Sequence, residues 1–75
     1  MKAIVYSGLG CSWCDRVKVL LHDNEYEIEE IRISKELIQE IKEKYEQEVR
    51  SVPQVIIDGN FVGGYTEVKR FINRL

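Results

Sequence analysis

The sequence has one proline, one methionine, one histidine, one tryptophan and only two cysteines in 75 residues. Two cysteines cannot build the disulfide framework that props up many small secreted domains. Two thiols and one histidine also fall short of the four ligands of a closed zinc site, unless a carboxylate or a second chain contributes. Long apolar runs are missing. The N-terminal MKAIVYSG holds four consecutive apolar or aromatic residues, too few for the core of a signal peptide or for a membrane span, so a cytoplasmic location is expected. Neither sign of charge dominates: 11 Lys+Arg against 13 Asp+Glu give a net charge of -2, which does not suggest nucleic acid or another polyanion as the main partner. There is no internal repeat, linker or low-complexity stretch, and a chain this short forms a single domain, residues 1–75, with a small core.

What is present is a clear succession of periodic segments. Ala3 to Tyr6 is an unbroken apolar run closed by SGLG, the pattern of a central strand buried on both faces. Val17, Leu20 and Leu21 recur at helical spacing and HDN supplies a stop, predicting a helix over residues 12–22. In YEIEEIRI, Tyr26 and Ile28 alternate with charges, as do Ile31 and Ile33, which suggests an edge strand with a slip of register near Glu29 and Glu30. Its acidic run from Glu25 to Glu30 reads as a solvated face. Ser34 then caps a longer helix with an apolar stripe of Leu37, Ile38, Ile41, Tyr45 and Val49. Val55 to Ile57, the turn DGN, and Phe61 and Val62 form an antiparallel hairpin. A last helix aligns Val68, Phe71, Ile72 and Leu75. The order is β-α-β-α-β-β-α, an α/β domain. The right-handed crossover rule makes the first two strands parallel, and a four-stranded mixed sheet flanked by three helices follows.

Cys11 and Cys14 are three residues apart where the first turn becomes the first helix. At that spacing both lie on one helix face, within reach of a reversible disulfide. Cys11 opens the helix, where free backbone N–H groups and the positive end of the dipole stabilise a thiolate; it is the candidate nucleophile. Cys14, one turn inside with Val17 and Leu21, is the candidate resolving thiol. A C-x-x-C that follows a buried strand and opens a helix of a β-α-β unit is a redox arrangement. Two other readings stand beside it: a zinc site completed by another chain or a carboxylate, and two inert thiols facing the core. His22 reads as a cap at the end of the first helix and Tyr6 as a core ring near the cysteines.

Taken together, CSWC and, about forty residues later, SVPQVIIDGNFVGGYTE make the chain resemble the glutaredoxins, members of the thioredoxin-like fold, over essentially its whole length. That family carries C-P-Y-C, a T-V-P segment and G-G-Y-T-D at similar spacings. The resemblance implies a glutathione-dependent dithiol oxidoreductase that reduces protein disulfides and glutathione mixed disulfides, and a cis Val52–Pro53 peptide. It further implies that the backbone of Val52 pairs with the cysteinyl part of glutathione, while Thr66 and Glu67 hold the γ-glutamyl end. Gly63 and Gly64 would permit close backbone approach there, and the N–H groups opening the last helix suit a carboxylate. Arg50 matches a basic position that meets the glycine carboxylate in relatives, and is equally readable as a solvated surface charge.

Three positions depart from the family pattern. Ser12 stands for the usual Pro, Trp13 for the usual Tyr, and no Lys precedes Cys11, which makes Cys11 less acidic than in relatives and leaves more of the work to the helix start and Arg16. Trp13 is expected to wall the site, with an exposed ring as the plain alternative. Some relatives with Ser at the second motif position bind a [2Fe–2S] cluster between two subunits through the first cysteine of each and two glutathiones, so a cluster carrier is one rival reading. Another is an electron donor fed by thioredoxin reductase and docked on one client such as ribonucleotide reductase. The partners expected are glutathione and disulfide-containing or glutathionylated proteins, with the chain itself a monomer.

Overall fold

The chain begins with the alternation expected of a strand covered on both sides. In β1 (Lys2–Ser7), Ala3 and Val5 point to one face of the sheet and Ile4 and Tyr6 to the other. The computed structural model describes residues 1–74, and the elements that follow β1 are α1 (Ser12–Asp23), β2 (Glu27–Arg32), α2 (Lys35–Tyr45), β3 (Gln54–Ile57), β4 (Asn60–Gly63) and α3 (Tyr65–Asn73). The sheet order is β2-β1-β3-β4, with β1 and β2 parallel and both the β1–β3 and β3–β4 pairs antiparallel. This is the thioredoxin-like arrangement that the element order predicts. No helix among the described residues is long and apolar enough to cross a membrane.

Two apolar clusters hold the layers together. Ala3, Val5, Val55 and Ile57 pack against Val17 and Leu21 of α1 and Val68 of α3. On the opposite face Tyr6 and Ile56 meet Ile41 of α2, with Ile4, Ile31, Leu37, Tyr45 and Phe61 around them. Thus α1 and α3 share one face and α2 covers the other, which explains why β1 and β3 are apolar at nearly every position. Tyr6 is therefore a core ring on the α2 side. Leu75, assigned by periodicity to the apolar side of the last helix, lies outside the described residues.

Two expectations are corrected by this layering. β2 is an edge strand, as predicted, but it has no slip at Glu29 and Glu30: its parallel register runs unbroken from Lys2↔Glu27 to Ser7↔Arg32. Ile28 contacts the α1/α3 layer while Ile31 and Ile33 contact the α2 layer, so an apolar residue changes parity because both faces of the strand are covered. The irregularity of register lies instead between β3 and β4, at Val55 and Ile56. The second correction concerns α2, which stops at Tyr45, with Glu46 in the left-handed region at φ 56° and its N–H donated to the Lys42 carbonyl at 2.9 Å. From Glu46 to Ser51 only Val49 is apolar, so another helical turn would bury a single side chain; Val49 reaches the same cluster from the irregular segment that leads to Pro53.

The capping and turn signals are realised. Ser34 accepts the Leu37 N–H at 3.2 Å, and Asp58 and Gly59, at φ 48° and 83°, make the two-residue hairpin turn whose twist matches the flanking strands.

Candidate active site

The site grows from the C-terminal end of β1. Ser7 is buried there, and its hydroxyl donates to the Glu30 carboxylate of β2 at 2.8 Å, the same oxygen that accepts from Lys18 of α1 at 2.9 Å. This contact ties the root of the cysteine loop to both neighbouring elements. Gly8 follows, and a Cβ there would sit 3.1 Å from Cγ2 of Val52, so a side chain at position 8 would press on the segment before β3 and shift it by a few tenths of an ångström.

Cys11 is the N-cap of α1, and its Sγ accepts the backbone N–H of Cys14 at 3.1 Å. A sulfur held by a helix-opening N–H is better stabilised as thiolate than as thiol. The two cysteines are joined as a disulfide with Cα atoms 5.3 Å apart. Cys14 is 1% exposed, whereas Cys11 is only half-buried, so an incoming disulfide can reach Cys11 first. The Val52–Pro53 peptide is cis, and the Val52 carbonyl oxygen lies 3.6 Å from Cys11 Sγ.

A groove of about 200 Å³ opens beside this pair. It is lined from α1 by Trp13, from the segment before β3 by Ser51, Val52 and Pro53, and from the start of α3 by Gly64, Tyr65, Thr66 and Glu67. Trp13, half exposed, leans on Tyr65 with ring centroids 5.2 Å apart and planes tilted by 57°, and the Arg16 guanidinium carbon sits 4.5 Å from the centre of the indole. These contacts fix the ring as one side of the groove. Of the residues singled out by sequence, Cys11, Trp13, Cys14, Val52, Pro53, Gly64, Thr66 and Glu67 are thus brought together.

Arg50 is not among them. Its guanidinium points into solvent and pairs with the Glu48 carboxylate through Nε and Nη2 at 3.2 and 2.7 Å, and it does not line the groove. Glu67 carries a duty that its place in the motif did not reveal: Oε1 accepts the Gly64 N–H at 2.9 Å, satisfying a backbone donor at the start of α3. A Glu three residues after the N-cap is a known sign of this half of a capping box; Gly64 has no side chain to supply the other half. Tyr65 and Ser51 were missed as lining residues; nothing local in sequence couples residue 13 to residue 65. His22 is exposed at the end of α1 beside Asp23, and among the described residues no three His, Cys, Asp or Glu side chains converge as metal ligands.

The network under the loop has a testable acid-base signature. Hydrogen bonds from Lys18, then from Ser7, hold the Glu30 carboxyl below its ordinary range, and the same Glu30 bond raises Lys18. A depressed carboxyl stabilises the fold above its unfolded value and loses that contribution as pH falls through the folded one. Urea unfolding of the parent should therefore weaken on acidification more steeply than that of Glu30→Gln; parallel curves would remove Glu30 as a cause.

Comparison with known proteins agrees with this geometry. The family model described as Glutaredoxin matches residues 3–62. The chain is 40% identical over 75 residues to an uncharacterized monothiol glutaredoxin of Caenorhabditis elegans, covering 91% of this chain and 49% of that protein, so it spans about half of that relative's length. Among solved structures it is similar to the dithiolic glutaredoxin 2-C-Grx1 of Trypanosoma brucei brucei, with a TM-score of 0.77 at 30% identity, covering 96% of this chain and 77% of the other. It is also similar to a buckwheat glutaredoxin–glutathione complex, with a TM-score of 0.69 at 26% identity over 96% of this chain and 68% of the other. Since the matched span contains both cysteines and the cis-proline, and the fold agrees across nearly the whole chain, this protein belongs to the glutaredoxin family of thiol–disulfide oxidoreductases.

Proposed function

We propose that the protein reduces protein disulfides and glutathione mixed disulfides with glutathione as its reductant. The observation that carries this reading is the groove itself: it runs from Val52, whose carbonyl oxygen is 3.6 Å from Cys11 Sγ, to the N-terminus of α3. Because Pro53 has no N–H, the Val52 backbone offers one N–H and one carbonyl to the cysteinyl part of a bound tripeptide. The N–H groups that open α3, with Thr66, suit the γ-glutamyl carboxylate, and the Glu67 carboxylate faces its ammonium. That the buckwheat relative was solved with glutathione supports glutathione as the ligand.

The chemistry follows from the two environments. The Cys11 thiolate attacks a disulfide sulfur, forming a new S–S bond while the partner sulfur leaves as thiolate. With a protein disulfide, Cys14 then loses its proton and attacks Cys11 Sγ, releasing the client's second thiol and closing the Cys11–Cys14 bond. With a glutathione mixed disulfide, the client leaves first and a second glutathione thiolate attacks the glutathionyl sulfur on Cys11, giving oxidised glutathione and the free Cys11 thiolate. Two glutathiones likewise return the closed pair to the dithiol. Such a cycle needs a compartment that keeps glutathione reduced, and we place it in the cytoplasm.

The deciding experiment is NADPH consumption in two coupled systems. Glutathione, glutathione reductase and a small glutathione mixed disulfide should give rapid turnover, while thioredoxin reductase without glutathione should give little. The reverse pattern would overturn glutathione dependence and favour a dedicated carrier reduced by thioredoxin reductase.

A further inference from the structure

The two edges of the sheet are not alike. β2 carries Glu27, Glu29, Glu30 and Arg32, the kind of charged edge that resists pairing with another strand. β4, at the other edge, reads Asn-Phe-Val-Gly and has no charge at all. A groove of about 300 Å³ lies along it, lined by Phe61 and Val62 of β4 and by Glu67, Arg70, Phe71 and Arg74 on the α3 side. Phe61 belongs to the α2-side cluster and Val62 to the α3-side cluster, so a cavity that touches both must follow the open edge of the strand rather than one of its faces. Phe61, Val62 and Phe71 give it apolar lining, and two arginines outnumber the single Glu67 on its α3 side; neither Arg70 nor Arg74 pairs with a carboxylate among the described residues.

Glu67 lines both this groove and the one beside Cys11, so the two flank the same side chain. Along α3, Arg70 and Arg74 lie about 8 and 14 Å beyond Tyr65, a span of roughly two to four residues of extended chain. A client whose reacting cysteine is at Cys11 can therefore lay its flanking residues along β4.

We propose that the open edge of β4, with Arg70 and Arg74 beside it, is the docking strand for an acidic, extended segment of the client next to its reacting cysteine. The segment adds a strand to the sheet through main-chain hydrogen bonds, its apolar side chains meet Phe61 and Phe71, and its carboxylates meet the two arginines. A second copy pairing β4 to β4 would instead bring four arginines together, which argues against a symmetric dimer at this edge. The proposal rests on the functional reading above and adds to it a class of client.

The test uses three probes with the intact protein: a peptide with one glutathionylated cysteine and glutamates beginning about three positions away, the same peptide with glutamines, and glutathione–cysteine mixed disulfide. At low salt kcat/KM for the acidic peptide should exceed that for the neutral one by about tenfold, and added salt should erode the difference. Arg70→Gln combined with Arg74→Gln should abolish most of that preference and leave the small mixed disulfide unchanged. N-methylation of alternate residues of the acidic peptide should also remove it, since the main chain could no longer pair. Equal rates for the two peptides, or a preference that survives the double substitution, would overturn the docking strand while leaving the functional reading intact. Concentration-dependent self-association of the parent that grows stronger in the double variant, where the like charges are gone, would overturn it in favour of a second copy as the occupant. No turnover even of the small mixed disulfide would overturn the functional reading and this one with it.

Discussion

Cys11→Ser should lower turnover of a small glutathione mixed disulfide by about a thousandfold or more, while Cys14→Ser should keep it within roughly threefold of the parent. The asymmetry follows from position. Cys11 is the half-buried N-cap sulfur with the Cys14 N–H at 3.1 Å, and a serine hydroxyl there remains protonated at neutral pH and is a poor nucleophile. Cys14 is 1% exposed and enters only when a mixed disulfide on Cys11 has to be resolved from inside the chain. With a protein disulfide as substrate the same Cys14→Ser change should therefore cost about tenfold or more, because resolution falls to external glutathione. Steady-state rates on the two substrates, with mass measurement of the trapped Cys11 adduct, check both arms. Equal loss in the two serine variants on the small substrate would sink the assignment of roles.

The second large effect is expected at Gly63. Its φ is 123°, a region that residues with a side chain rarely adopt, and a Cβ there would lie 3.1 Å from Cβ, Cγ and Oε1 of Glu67. Gly63→Ala must therefore strain the backbone and push aside the carboxylate that caps α3 through the Gly64 N–H. The backbone strain alone is of order 1–3 kcal/mol. In so small a domain each kcal/mol lowers the melting temperature by roughly 4–8 °C, so a fall of about 10 °C is expected. Because the displaced Glu67 also lines the groove, KM for the glutathione mixed disulfide should rise severalfold with kcat little changed. Glu67→Gln, which keeps an acceptor for the Gly64 N–H, should retain most of the stability and lose the charge. A Gly63→Ala protein that melts with the parent would refute the requirement for glycine.

Much of this site was legible along the chain because its chemistry is written over three or four residues. The C-x-x-C spacing, the glycine-rich turn before it and the helical recurrence of Val17 and Leu21 together place Cys11 at a helix start and Cys14 one turn inside. Asp58-Gly59 specifies its hairpin and Ser34 its cap for the same reason: each is a local backbone choice with a local side-chain solution. The motif match also marked Val52, Pro53, Gly64, Thr66 and Glu67 as a group. Where expectation failed, the missing information was what lay on the other side. The register slip in β2 was inferred from one covered face, but the edge strand has two. Arg50, matched by position in a motif, pairs with Glu48 at the surface, in keeping with the surface-charge reading that stood beside its role at the glycine carboxylate.

The sequence by itself determined the element order, the chemistry of the cysteine pair and the conformations of the turns, since these depend on propensity, spacing and backbone geometry within a few residues. Only the tertiary structure decided that Trp13 rests on Tyr65, that Gly8 admits Val52 next to Cys11, that Glu67 lines two grooves, and that β4 leaves an uncharged edge beside two arginines. Those are contacts between residues up to about fifty positions apart. They exist because β1 pairs with β2 on one side and β3 on the other, and because α1 and α3 pack on one face of that sheet. No local preference encodes which distant surfaces such packing will bring together.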